Sequence, residues 1–351
     1  MKIRKEHNFW TFFDEDTGKY MRTGIIQAGK DTGVDPFMSS FPELLDVGIM
    51  GHCKHGKSGL CIKAGIECYQ NGLHSDKPNM ELSDFKSIVE QCQGQTYQIA
   101  LGGCGDPDQH EYFREILELC KAAGIVPNFT TSGFGMTEEI AGICKKYCGA
   151  VAVSWYRSEY TLKAIKMLTD AGVKTNIHYV LNKNTVAEAL LMLQEKGFPK
   201  ELNAIVFLLH KPVGLGKLEN IITRENQDFQ RLIQYVTSED LFYKIGFDSC
   251  TIPALITSPG NIDVDSLDTC EGARWSAYIT PDMKMLPCSF DNQEQKWAVD
   301  LRTHTIKEAW DSQVFEAFRN YFRTACPTCS NRQYCMGGCP IRPEIVLCSR
   351  L

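Results

Sequence analysis

No feature limits the fold of this chain more than the eight cysteines that crowd its end: Cys250, Cys270, Cys288, Cys326, Cys329, Cys335, Cys339 and Cys348. Four of them fall in the string CPTCSNRQYCMGGC. Two cysteines separated by two residues can both reach one tetrahedral metal, because the turn between them points both thiolates inward. Eight thiolates suit two four-cysteine sites, and two zinc ions or two [4Fe–4S] clusters satisfy that arithmetic equally. A disulfide framework is the remaining alternative. It belongs to short secreted chains, whereas this one has 351 residues and shows no export signal in residues 1–7.

The chain holds sixteen cysteines in all. In a reducing cytosol such an excess serves metal or catalysis rather than disulfides. The formal net charge of −6 offers nothing to nucleic acid or to an anionic membrane surface. No apolar run reaches the roughly 18–20 residues that span a bilayer. The sequence therefore reads as cytoplasmic, with no nucleic-acid or membrane partner.

Up to about Phe41 the pattern is mixed and reads as a strand-bearing cap. From Leu44 a unit repeats: a short apolar run, a turn, then an amphipathic helix. The runs cover residues 44–50, 97–101, 126–130, 150–155, 175–181 and 204–209. Helical faces follow at i, i+3, i+4 and i+7: Phe85, Ile88, Val89 and Cys92; Phe113, Ile116, Leu117 and Cys120; Ile140, Ile143, Cys144 and Tyr147. Asp108 with Glu111 and Thr185 with Glu188 have capping-box spacing, and Gly124, Gly172 and Gly197 have the spacing of helix ends. Alternating strands and helices imply a parallel sheet. Six units are too few for a closed eight-unit barrel, so the fold class is α/β, a partial (βα)6 TIM-like barrel. Cys92, Cys120 and Cys144 then act as small hydrophobes on helix faces, and Cys148 is structural too. After about Gly246 the helical rhythm stops. The expected division is a cap over 1–43, a barrel over 44–243 and a cysteine-rich domain over 244–351.

A second cysteine set, Cys53, Cys61 and Cys68, lies in DVGIMGHCKHGKSGLCIKAGIECYQNG directly after the first barrel strand. Barrels of this class place their chemistry at the C-terminal ends of strands. Three thiolates leave one iron of a cubane cluster without a protein ligand, and that open position can chelate a substrate. Gly56, Gly59 and Gly65 give the loop room to fold. The bland alternative is a loop that holds no cluster, or one that binds another metal through His52 and His55.

The ordered run Cys270, Cys288, C-x2-C-x5-C-x3-C, Cys348 resembles the SPASM domain appended to many radical S-adenosylmethionine (SAM) enzymes, over about residues 247–351. TPDMKMLPC, ending at Cys288, resembles that domain's hairpin, with Met283 in place of the usual glycine. The resemblance implies two auxiliary [4Fe–4S] clusters, one on Cys250, Cys270, Cys288 and Cys339, the other on Cys326, Cys329, Cys335 and Cys348. It implies a third cluster on Cys53, Cys61 and Cys68, with SAM on its open iron. The family spacing is C-x3-C-x2-C with an aromatic residue before the last cysteine; here it is C-x7-C-x6-C, with Glu67 in that place and Tyr69 following. LGGCGDP (101–107) resembles the GGE motif that contacts the SAM amino group, with Cys104 where Glu is common. TTSG (130–133) and LLHKPVGLGK (208–217) resemble further SAM-lining runs. The implied cofactor-binding residues are Tyr69, Gly102, Gly103, Cys104, Ser132, Ser154 and His210. Cys104 touches SAM or substrate, or is a small residue in a tight turn.

Enzymes of this resemblance reductively cleave SAM to a 5′-deoxyadenosyl radical and modify a peptide or protein. The implied partners are that substrate and a low-potential electron donor such as flavodoxin or ferredoxin. The segment before Cys53 is too short for a winged-helix recognition domain, so the resemblance implies either a separate peptide-recognition protein or direct contact through the N-terminal segment. Sulfatase maturation is disfavoured, because Ser289 stands where those enzymes carry a carboxylate. Tyr156, His178 and Asp291 are the acid–base candidates. The competing class is a non-catalytic iron–sulfur protein on a degenerate barrel.

Overall fold

A computed structural model describes residues 1–351 except 239, 259–261, 263, 265, 266 and 349–351. The chain opens with an antiparallel meander of β1 (Lys2–Lys5), β2 (Trp10–Phe13) and β3 (Tyr20–Arg22), followed by a small hairpin, β4 (Ile26–Gln27) and β5 (Lys30–Asp31). The six apolar runs become six parallel strands: β6 (Leu44–Met50), β7 (Gln98–Gly103), β8 (Val126–Thr131), β9 (Val151–Ser154), β10 (Thr175–Leu181) and β11 (Ala204–Leu209).

A seventh parallel strand, β12 (Ile245–Phe247), pairs with β11. Its three residues, with a glycine at the centre, are too few to show a period. At the other edge β13 (Ser276–Ile279) lies parallel to β6, placing Tyr278 beside Asp46. The sheet ends in antiparallel β14 (Lys284–Leu286) and β15 (Val299–Asp300). Its order is therefore β12-β11-β10-β9-β8-β7-β6-β13-β14-β15, one ten-stranded sheet running from the barrel into the cysteine-rich region.

Strand alternation sorts the side chains. Leu45, Val47 and Ile49 are buried on the outer face, beneath helices that include α3 (Leu82–Cys92) and α4 (Phe113–Ala122). Asp46 and Gly48 are left for the lumen. Cys92, Cys120 and Cys144 are fully buried in the helical layer, in line with their apolar spacing, and Cys148 packs against the same core. The same core continues into the C-terminal region through Trp310, Phe315, Phe318 and Phe322.

Two capping expectations fail. Asp108 sits in a 3-10 turn and the next helix starts only at Phe113; Glu111 instead accepts a bond from Asn79 at 2.8 Å. Thr185 is the N-cap of the helix Val186–Gln194, but its hydroxyl turns away and donates to Val180 O at 2.8 Å. Gly197 lies just past that helix as expected, its N–H donating to Met192 O at 2.8 Å, while Lys196, with φ of 53°, takes the left-handed turn. Gly124 and Gly172, with φ of 69° and 75°, do end their helices.

Candidate cluster and cofactor site

The loop leaving β6 folds into two short helices, α1 (Lys54–Ser58) and α2 (Leu60–Lys63), joined by left-handed Gly59. Cys53 is the N-cap of α1, its Sγ accepting the Gly56 N–H at 3.0 Å. Cys61 is buried on α2. Cys68 accepts the Gly72 N–H at 3.4 Å. A Cβ at Gly72 would stand 3.4 Å from Cys68 Sγ and 3.6 Å from Cys53 Sγ, so both thiols flank one glycine.

The extra residues between Cys53 and Cys61 are anchored by a side chain as well as freed by glycines. His55 is buried, its Nε2 2.7 Å from the Tyr160 hydroxyl. Its ring stacks on Tyr156 at 5.4 Å and 11°, with Phe134 also at 5.4 Å. Burial lowers the His55 pKa. His55 is thus occupied in packing.

The glycine segment after β7 presses against this loop. A Cβ at Gly103 (φ 107°) would stand 2.5 Å from Met50 O, and one at Gly105 (φ 138°) 2.4 Å from His52 O, whereas one at Gly102 would meet nothing. Only glycine permits such approach. Cys104, between them, donates its N–H to Met50 O at 2.7 Å. Asp106 follows, buried, its carboxylate accepting the Ser132 N–H at 2.7 Å and the Ser132 hydroxyl at 2.6 Å. Burial raises the pKa values of Cys53, Cys61 and Tyr156, and the nearby charge of Asp106 adds to the effect. The mouth of the barrel therefore gathers Cys53, Cys61, Cys68, Cys104, Asp106 and Tyr156. Asp106 was missed in the sequence; an acid between glycine and proline at a strand end was its only signal.

The other nominated residues divide. Ser132 faces Asp106, and half-buried Ser154 ends β9 beside Tyr156. Tyr69 reaches the C-terminal region, its ring 5.0 Å from Phe290. His210 is buried, with Nε2 3.1 Å from Lys217 O and 3.4 Å from the Glu67 carboxylate. Glu67 also accepts the Lys217 N–H at 3.0 Å, so Glu67 and His210 together tie the cysteine loop to the segment after β11. His178 lies in the lumen, 3.3 Å from the Thr130 hydroxyl, and burial pushes its pKa down to about 4. Asp291 accepts the N–H groups of Trp297 and Lys296 at 2.9 and 3.2 Å, which makes it a turn anchor rather than a free base.

All sixteen cysteines are unpaired. In the C-terminal region Cys250 meets Cys339, a contact that, with burial, holds the Cys250 thiol well above its usual pKa. Cys270 and Cys288 are charge neighbours of Cys250. Lys211, paired with Asp248, lies beside Cys250 and Cys288 and over the Phe290 ring at 4.7 Å. Cys326, Cys329, Cys335 and Cys348 line one pocket, closed by Pro253 and Ile256. Three successive left-handed residues, Met336, Gly337 and Gly338, turn the chain between the two groups. Cys335 thus lines that pocket while Cys339 faces Cys250. Among the described residues, no three His, Cys, Asp or Glu side chains converge on a point as a single ion would need. Four thiols lining one pocket suit a four-thiolate iron–sulfur site.

The fold and these cysteine groups define a TIM-like α/β barrel with a C-terminal cluster-binding domain. Residues 270–335 match the family model of SPASM, an iron-sulfur cluster-binding domain. The fold is shared with Streptococcus suis SuiB bound to S-adenosylmethionine, at TM-score 0.65 and 16% identity over 90% of this chain and 78% of that one. SuiB bound to precursor peptide SuiA aligns at TM-score 0.64 and 16% identity, covering 90% and 77%. Native anSMEcpe with bound AdoMet and Cp18Cys peptide aligns at 0.60 and 17%, covering 87% and 92%. At such identities the likeness is one of fold.

Proposed function

We propose that this chain is a radical SAM enzyme that modifies a peptide or protein. The reading rests above all on one observation: three cysteines on the loop after the first barrel strand lie beside a glycine-lined strand end and a buried acid. The fold relatives solved with SAM and with peptides agree with it. Cys53, Cys61 and Cys68 would hold a [4Fe–4S] cluster with one open iron. When bound, that cluster supplies the electron that cleaves SAM to a 5′-deoxyadenosyl radical. Cys250, Cys270, Cys288 and Cys339 would hold a second cluster, and Cys326, Cys329, Cys335 and Cys348 a third.

The protein's own groups bind and orient. Gly102 leaves space at the strand end, and Asp106, fixed by Ser132, offers a carboxylate to the ammonium of SAM. Ser154 and Tyr156 border the same mouth, and Tyr69 with Phe290 closes the gap toward the second cluster. Free thiols in this number suit a reducing compartment, the cytoplasm. A low-potential donor, flavodoxin or ferredoxin, and a separate peptide-recognition protein complete the expected partners.

The test is 5′-deoxyadenosine formation from SAM by anaerobically reconstituted, dithionite-reduced protein. Wild type forms it, and the Cys53/Cys61/Cys68→Ala variant does not. Absence of product from iron-loaded wild type, with candidate peptides supplied, would reject the reading.

A further inference from the structure

Cys53 and Cys61 sit on α1 and α2, and His55 of α1 is wedged among aromatic rings of the barrel. Cys68 is held from elsewhere. It opens a tight turn that closes on itself: the Asn71 N–H donates to Cys68 O at 3.2 Å and the Gly72 N–H to Cys68 Sγ at 3.4 Å. Tyr69 and Gln70 lie inside that turn, so a grip on either is a grip on the Cys68 thiol. One grip comes from the segment after β11, where the Leu215 N–H donates to Cys68 O at 2.9 Å. A Cβ at Gly214 would stand 2.4 Å from Tyr69 O, so this contact is backbone against backbone.

The other grip comes from the C-terminal region. The Tyr69 ring packs on Phe290 with centroids 5.0 Å apart, and Gln70 Oε1 accepts a bond from Asn292 Nδ2 at 2.8 Å. Gln70 is only 5% exposed, so little water competes for that bond. Phe290 lies in the 3-10 turn Ser289–Asp291, which Cys288 opens and Asn292 ends. Asp291 ties the turn to the N–H groups of Lys296 and Trp297, and Lys211 lies over the Phe290 ring. Where Cys288 is fixed, Phe290 and Asn292 are fixed with it.

We propose that these contacts couple the two cysteine sites: Tyr69 and Gln70, gripped by Phe290 and Asn292, are positioning residues that hold Cys68 for the N-terminal cluster once Cys288 is ligated. The coupling rests on the radical SAM reading above, which puts a cluster on each set. Ligation of Cys288 fixes its 3-10 turn, which then restrains the Cys68 turn through one ring contact and one hydrogen bond. Linkage makes the effect mutual, so a cluster on Cys53, Cys61 and Cys68 favours the one beside Cys288. The pocket of Cys326, Cys329, Cys335 and Cys348 stands outside this strap.

The experiment challenges full-length, anaerobically reconstituted protein with an iron chelator and follows the N-terminal cluster by electron paramagnetic resonance after dithionite reduction. Its signal is the one that SAM alters, because only its open iron takes SAM. Asn292→Ala and Gln70→Ala each lose that signal about tenfold faster than wild type, an ordinary size for coupling between sites. The double variant is no faster than either single one, since each removes the same bond. Phe290→Ala also loses the signal faster, whereas Phe290→Tyr, which keeps the ring, matches wild type. About four irons per chain, those of the Cys326 pocket, leave at the wild-type rate in every variant. Equal rates in all the proteins overturn the proposal, and so does faster loss of all iron alike, the mark of general loosening. Cys288→Ala, which removes the ligand itself, also sheds the N-terminal cluster faster; should it fail to fold, the Gln70, Phe290 and Asn292 variants decide. The wild-type iron count separates the two failures. About twelve irons with a SAM-sensitive signal uphold the underlying reading, and about eight irons with no such signal overturn both.

Discussion

The carboxylate of Asp106 accepts two hydrogen bonds from a single residue, Ser132, one from its N–H and one from its hydroxyl. Both are charge-assisted, and both lie in a buried site. Asp106→Asn puts an amide N–H against one of those donors, which costs about 1–3 kcal/mol for the unpaired group. Ser132→Ala removes the hydroxyl bond but keeps the backbone one and is milder. If Asp106 meets the SAM ammonium, Asp106→Asn raises the SAM dissociation constant about tenfold or more, roughly the 1.4 kcal/mol of one charge-assisted contact. Equilibrium dialysis with labelled SAM measures it, and an unchanged constant removes Asp106 from the binding site. Chemistry-bearing residue types were readable in the sequence, but which of them face one another was not. His210 and Asp291 stand at plausible places, yet one is held by Lys217 O beside Glu67 and the other by backbone N–H groups. Asp106 drew no notice because its meaning comes from Ser132, 26 positions away.

At the scale of elements, the six apolar runs were legible because burial on the outer face repeats with the strand period. The seventh strand was not, since Ile245, Gly246 and Phe247 carry no period. The unusual C-x7-C spacing had invited a glycine explanation alone. Gly59 does turn the chain, but α1 is held by His55 wedged among Tyr156, Tyr160 and Phe134, rings contributed by the segments after β8 and β9. Such an anchor depends on distant residues and leaves no local signature. His55→Ala empties an aromatic box and costs about 3 kcal/mol, by analogy with large-to-small core changes. Tyr160→Phe keeps the packing and strands only the His55 Nε2, about 1–3 kcal/mol. Both variants lose iron from the N-terminal cluster faster than wild type when challenged with a chelator, His55→Ala the more so. Equal loss rates in all three proteins would show that the cysteine loop needs no such anchor.

Across the whole molecule, the barrel and the cysteine-rich region share one sheet, and the seam is tight. A Cβ at Gly48 on β6 would stand 2.4 Å from the Tyr278 hydroxyl on neighbouring β13. Gly48→Ala must move that ring or part the strands, and is destabilised by about 1–3 kcal/mol as an overpacked site; the shift in thermal unfolding temperature reads it. Two acids lie near the same seam. Burial pushes the Asp46 pKa up to about 6 and the Glu271 pKa up to about 7, with negative charges nearby adding to the effect on Glu271. Unfolded, both groups ionise near pH 4. Between about pH 4 and pH 7 the unfolded chain has therefore released protons that the folded one still holds, and these two groups make stability fall as pH rises. His178, depressed to about 4, acts the opposite way up to about pH 6.5, so the raw profile mixes the two effects. The difference between wild type and an Asp46→Asn/Glu271→Gln variant isolates the acids. That variant gains stability relative to wild type as pH is raised from about 5 to about 7.5, measured as unfolding temperature under anaerobic conditions. A difference that stays constant with pH would mean that both carboxylates titrate normally and that the lumen beside β13 is well solvated.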